Sequence, residues 1–262
     1  MNRRSRTLTA RRARRARRAR RVTVAALAVG VLAGCSSAPP APSAPPGIDL
    51  EHFDGADGNG LWLLGGDAAE REILDAIRAG GPVHMTGSFT ELVQPDPESD
   101  PVRGRSISVD VRGRPDAFTA SVAAGDLAMS MLVADGTTRV RGNAAYAASL
   151  GAPELADAVT CTVGEDPALE RWAPMLSPIE LVGAVLAGAE LGVAPPAGES
   201  DTLEVVVGTE GSPLGVLTVE RFGPPLPRTF TAADVTGDGA FSFAEWGTAP
   251  DLDAAAAALP CP

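Results

Sequence analysis

The sequence predicts an α+β fold in which one curved antiparallel β-sheet is covered by helices on its inner side. Three observations predict it: a run of period-two strands joined by short turns, a helical interruption near the middle of the chain, and a second run of strands after it. Strands that follow one another through short turns pair as an antiparallel meander.

The first element is a helix over residues 67–78, with Asp67 as its N-cap and Gly80-Gly81 as its stop. After Pro82 the period changes. Val83, Met85, Gly87 and Phe89 alternate with His84, Thr86, Ser88 and Thr90, which makes a strand with one apolar face. A Pro- and Asp-rich loop over 94–100 leads to Ile107, Val109 and Val111, which alternate with Ser106, Ser108 and Asp110. Strands over 118–122 and 127–133 follow, the second placing Leu127, Met129, Met131 and Val133 on one face. Asp135-Gly136 turns the chain tightly into a strand over 137–141.

Helical character then replaces alternation, at 144–150, 153–159 and 177–191. The last of these has Ser177 as N-cap, Pro178 in the first turn and Glu180 completing a capping box. Ile179, Leu181, Val182, Val185, Leu186 and Leu191 leave it little polar surface, so it requires cover on most sides. Pro195-Pro196 ends the insert, and strands over 203–208, 214–221, 228–231 and 241–246 resume the sheet.

Ahead of this folded region, residues 1–34 read as a lipoprotein signal peptide. A basic stretch over 3–21 precedes an apolar run over 22–33, which is shorter than the roughly 20 residues a membrane-crossing helix needs and fits a secretory h-region. Leu32-Ala33-Gly34-Cys35 closes the run as a lipobox. Cutting before Cys35 leaves a thiol for a diacylglycerol thioether, and two or three acyl chains hold a protein on a membrane almost permanently. Localisation at the extracytoplasmic face of the cell membrane follows. Residues 35–60 are a tether: Ser, Ala, Pro and Gly alone over 36–47, reaching roughly 35–40 Å as polyproline II, then an acidic, glycine-rich stretch expected to be mostly unstructured. One domain over 61–262 remains.

Eleven of the 22 arginines precede Cys35 and all 33 acidic residues follow it, so a chain starting at Cys35 carries a net charge of −22. Such a domain is repelled by nucleic acid and by anionic head groups, which leaves the acyl chains as its hold on the membrane. No lysine occurs, excluding lysine chemistry. With Cys35 assigned to lipid, Cys161 and Cys261 form an even pair outside the cytoplasm, read as a disulfide, with two reduced core thiols as the alternative.

Several segments together resemble the actinobacterial envelope lipoproteins of the LppX and LprG type, themselves similar to the periplasmic carrier LolA. These are Val83-His84-Met85-Thr86-Gly87-Ser88, the stretch 133–146 with Asp135-Gly136 and Asn143, and Asp166-Pro167 ahead of Leu176-Ser177-Pro178. The resemblance covers roughly residues 70–248. It implies a half-barrel whose concave face and helical lid enclose a cavity for an acyl-chain lipid or glycolipid, and an envelope protein as a possible partner. The matching faces are Ile107, Val109 and Val111, with Leu127, Met129, Met131 and Val133 on the sheet and Leu181 and Val185 on the lid. The same faces would serve equally in a solid core.

A competing motif lies over 234–245. It approximates an EF-hand loop, with Asp234, Asp238 and Glu245 at ligand positions 1, 5 and 12 for calcium, although Thr236 and Phe241 depart from the pattern. Prolines 224, 225 and 227 before it and Gly247 and Pro250 after it leave no room for flanking helices, which favours a plain hairpin at 237–239. An acidic interaction module with a filled core is the other alternative. Catalysis is not expected: the two histidines, His52 and His84, have no nucleophile spacing around them, and neither zinc spacing nor a phosphate loop is present.

Overall fold

A computed structural model describes residues 55–96, 98–100, 102–164, 166–187, 189–209, 212–233 and 238–262. The signal peptide, Cys35, the tether up to residue 54 and Asp234 lie outside the described residues. Eleven described strands form one open, curved, wholly antiparallel sheet in the order β6-β5-β4-β3-β2-β1-β11-β10-β9-β8-β7. They are β1 (Val83–Val93), β2 (Val102–Arg114), β3 (Ala117–Ala124), β4 (Leu127–Ala134), β5 (Thr137–Gly142), β6 (Val159–Val163), β7 (Glu190–Val193), β8 (Thr202–Thr209), β9 (Ser212–Glu220), β10 (Pro227–Ala233) and β11 (Asp238–Ala244). Each meander is sequential, and the two meet where the first strand pairs with the last. The fold is the α+β arrangement expected from the strand and helix pattern.

Alternation sets the two faces. Ile107, Val109 and Val111 of β2, Phe118, Ala120 and Val122 of β3, and Leu203, Val205 and Val207 of β8 are buried together in one apolar cluster. Helices α1 (Gly66–Ala79), α3 (Pro167–Leu176) and α4 (Pro178–Leu186) close that cluster. α1 contributes Ala69, Ile73 and Ile77, spaced by four so that they fall on one stripe. α4 contributes Val182 and Leu186 in the same way.

On the opposite face the strand positions are small and polar. One register row crosses nine strands from Arg141 through Ser130, Ser121, Asp110, Thr86, Ser242, Thr229 and Thr218 to Glu204. Helix α5 (Leu252–Ala258) lies on this face, against β3 and β4. Arg139 donates from Nη1 to the carbonyls of Ala256 and Leu259 at 3.2 Å each, and Cys161, Arg139's neighbour across the β5–β6 pair, is disulfide-bonded to Cys261. Leu132, opposite Arg139 in register, is wholly buried although it faces away from the main cluster.

Local chemistry explains several joints. Asp135 and Gly136 both have positive φ, the geometry a two-residue hairpin requires between right-twisted strands. Asn143 caps α2 (Ala144–Ser149) by accepting from the Tyr146 N–H, accepts from the Ala128 N–H, and donates to the Asp126 carbonyl. Asn143→Ala therefore removes three hydrogen bonds at once. A loss of about 1–2 kcal/mol of unfolding free energy is expected in a urea titration. Burial pushes the Tyr146 phenol above its ordinary pKa, with the Asp166 carboxylate adding to the rise and Arg171 opposing it.

Five expectations are corrected. Residues 153–159 are not a helix: a 3-10 turn at Pro153–Leu155 leads into strand β6, whose Val-Thr-Cys-Thr-Val sequence is β-branched and pairs with β5. The helix expected over 177–191 ends at Leu186, and Leu191 and Val193 alternate in edge strand β7 against β8. Ser177 does not cap α4 with its side chain; its Oγ is buried without a hydrogen-bond partner. α1 begins at Gly66 behind Gly65, so Asp67 sits in the first turn and complements the helix dipole instead of capping. Finally, order begins before Leu61: residues 55–57 form a 3-10 turn, and the Asn59 amide donates to the carbonyls of Glu220 and Gly223.

Candidate functional site

Helix α4 carries two apolar stripes. Val182 and Leu186 go into the main core, while Leu181 and Val185, one residue before each, are only half-buried. That second stripe roofs a pocket of about 490 Å³ over strands β1, β10 and β11. Its floor is aromatic. Phe89 and Phe241 lie 6.5 Å apart at 26°, Phe230 stands beside them, and these are three of the chain's seven phenylalanines. Met175 and Pro174 from the end of α3 form one wall, and Leu92 of β1 reaches the rim, where it is exposed.

Gly87 shapes the floor. A Cβ built there would collide with the Phe241 ring and approach the Ala240 carbonyl oxygen to 2.7 Å, so only glycine lets that ring lie across β1. Among the described residues lining the pocket, Glu91 is the one ionisable group, and it is engaged by Arg105 Nε at 2.8 Å. Apolar walls, a single neutralised charge at the mouth and a volume within the usual 300–1,000 Å³ range suit an apolar ligand.

The structure distributes the sequence-predicted residues between two places. Leu181 and Val185 line the pocket. Ile107, Val109, Val111, Leu127, Met129, Met131 and Val133 are all buried in the apolar cluster beneath the helices, and none of them lines this pocket. Phe89, Phe230 and Phe241 were missed as site residues. Their signal was present in the concentration of phenylalanine on three strands, but the adjacency of β1 to β11 that unites them is not local in sequence.

A larger depression of about 580 Å³ lies on the outer face along the hydroxyl row, lined by Ser108, Asp110, Ser121, Ser130, Arg141 and Asn143 among others. Its lining mixes hydroxyl, carboxylate and guanidinium groups with apolar residues, so it offers an apolar chain less apolar surface than the α4 pocket does. Beside it His84 Nε2 stands 3.1 Å from Asp110, and Glu245 faces Arg112 at 3.6 Å. The Glu245 carboxylate of the calcium alternative thus sits beside the Arg112 guanidinium on the outer face. Strand β10 precedes the 234–245 stretch and strand β11 occupies its second half, where an EF-hand would have helices on either side. No group of three or more His, Cys, Asp or Glu among the described residues is arranged to hold a metal. No helix among the described residues is long and apolar enough to cross a membrane.

The chain is similar to several solved structures at low sequence identity. Lipoprotein LppX from Mycobacterium tuberculosis aligns over 71% of this chain and 97% of that one, at 16% identity and a TM-score of 0.41. LprF from Mycobacterium bovis aligns over 71% and 97%, at 14% identity and a TM-score of 0.36. A putative outer membrane lipoprotein-sorting protein domain from Vibrio parahaemolyticus aligns over 72% and 94%, at 13% identity and a TM-score of 0.26. No protein-family model and no curated protein matches the chain.

Proposed function

We propose that this protein is a non-enzymatic lipoprotein of the cell envelope, anchored by acyl chains on Cys35, that holds an acyl-chain lipid or glycolipid between α4 and the aromatic floor. The carrying observation is the pocket itself: an apolar space roofed by a helix that presents Leu181 and Val185 to it instead of filling it. Burial of a methylene contributes about 0.8 kcal/mol, so a single long chain gains on the order of 10 kcal/mol over water. Release into a membrane or to an envelope protein partner would accompany displacement of the short helix α4.

Native mass spectrometry of residues 36–262, secreted so that Cys161 and Cys261 oxidise, tests this reading. A discrete added mass that extracts into organic solvent is expected, and Val185→Trp should lower its occupancy by filling the pocket. A bare protein mass that persists after incubation with envelope lipids would overturn the reading. Calcium binding at Asp234, Asp238 and Glu245 is checked in the same preparation, by melting with and without calcium.

A further inference from the structure

At its N-terminal end, through Pro178 and Ile179, α4 borders a second, more enclosed depression of about 340 Å³. Its walls are Ile77 and Val83, both buried in the core, with Ile179 and Trp246; its rim carries Arg78 and Arg114. We infer that this depression binds an amphipathic anion, an apolar body bearing one carboxylate, phosphate or sulfonate group, whose charge the two guanidinium groups receive.

The charge distribution carries the argument. A chain starting at Cys35 has 11 arginines against 33 acidic residues, yet two of those arginines flank this one small pocket. Each has a carboxylate neighbour, Asp75 at 2.6 Å from Arg78 and Asp116 at 2.8 Å from Arg114. Both pairs are more than half exposed, and exposed ion pairs are weak, so an anion held partly out of water by the apolar walls competes for the same donors. Asp116 also lines the rim and has to swing away from Arg114 to admit it. The Trp246 indole is fixed by donating from Nε1 to the Pro227 carbonyl at 3.0 Å, so its ring is a pre-positioned wall. The inference does not depend on the acyl-chain reading, because the two pockets share no lining residue.

The test uses two dyes with the same aromatic body, 8-anilinonaphthalene-1-sulfonate and the uncharged N-phenyl-1-naphthylamine, titrated into residues 36–262 at low salt. The protein is compared with Arg78→Gln/Arg114→Gln and with Val185→Trp, which closes the other pocket. The double variant should weaken sulfonate binding by about tenfold or more and leave the neutral dye unchanged, while Val185→Trp should leave the sulfonate bound. Added sodium chloride should reproduce the selective loss. Both arginines are exposed, so the fold should survive; circular dichroism checks this, and Arg78→Gln alone supplies a milder variant. Sulfonate binding that is absent from the unsubstituted protein, indifferent to the arginines, abolished by Val185→Trp, or weakened equally with the neutral dye would each overturn the inference.

Discussion

Cys161→Ser/Cys261→Ser is expected to lower the unfolding free energy by about 4.7 kcal/mol, the value the chain-entropy description assigns to a closed loop of about 100 residues. The two cysteines are 100 positions apart, and their bond fixes the end of the chain to edge strand β6. The loss should not be uniform. Without the bond, α5 is held by the two hydrogen bonds from Arg139 and by its packing against β3 and β4. A seven-residue helix is far too short to persist by itself in water. Hydrogen exchange should therefore show α5 amides losing protection first, with β2, β3 and β4 following only at the global level. Urea titrations with and without reductant read the total. An unchanged midpoint would show that the bond constrains nothing that packing does not already hold.

Gly87→Val should damage stability and the pocket together. The new side chain drives the Phe241 ring off β1, and the direction left to it is the space under Leu181 and Val185. Overpacking of this kind costs about 1–3 kcal/mol. The functional effect should be larger, because the displaced ring occupies volume that an acyl chain would use. Lipid occupancy read by native mass spectrometry should fall nearly to zero at a temperature where the variant remains folded. Phe241→Leu in the Gly87→Val background should restore part of it by shortening the clashing ring. A folded Gly87→Val protein with full occupancy would place the lipid elsewhere.

Much of the architecture was legible because it is local. Period-two alternation marked β1 through β5 and β8 through β11, and Asp135-Gly136 announced its turn. What failed was settled by pairing. Residues 190–193, Glu-Leu-Gly-Val, carry weak local preference and become an edge by pairing with β8; Val159–Val163 is β-branched, but so short that its pairing with β5 is what makes it a strand. The Ser177 box failed because an N-cap needs its side chain turned back toward the first-turn amides, and the Ser177 hydroxyl is not. Asp166, accepting from the Leu169 N–H, marks the start of α3 through Asp-Pro, a local helix-start signal. The pocket was half legible. Its roof residues, Leu181 and Val185, followed from the helical lid that the resemblance implies. Its floor needed the β1–β11 neighbour relation, and only then does a glycine at 87 face a phenylalanine at 241.

That seam between the first strand and the last also governs when the molecule can be finished. Each meander assembles from neighbouring hairpins, but β1 keeps an unpaired edge until β11 has emerged and found it, near the end of the folded chain. Long-range pairings of this kind close late and slowly, since the entropy of bringing distant segments together is spent before any contact repays it. Until then, the bare edge of β1, with its alternating apolar face, is a template for another chain. Synthesis and folding thus pass through an interval in which two half-sheets exist without a floor between them, and premature termination before residue 238 would make that interval permanent.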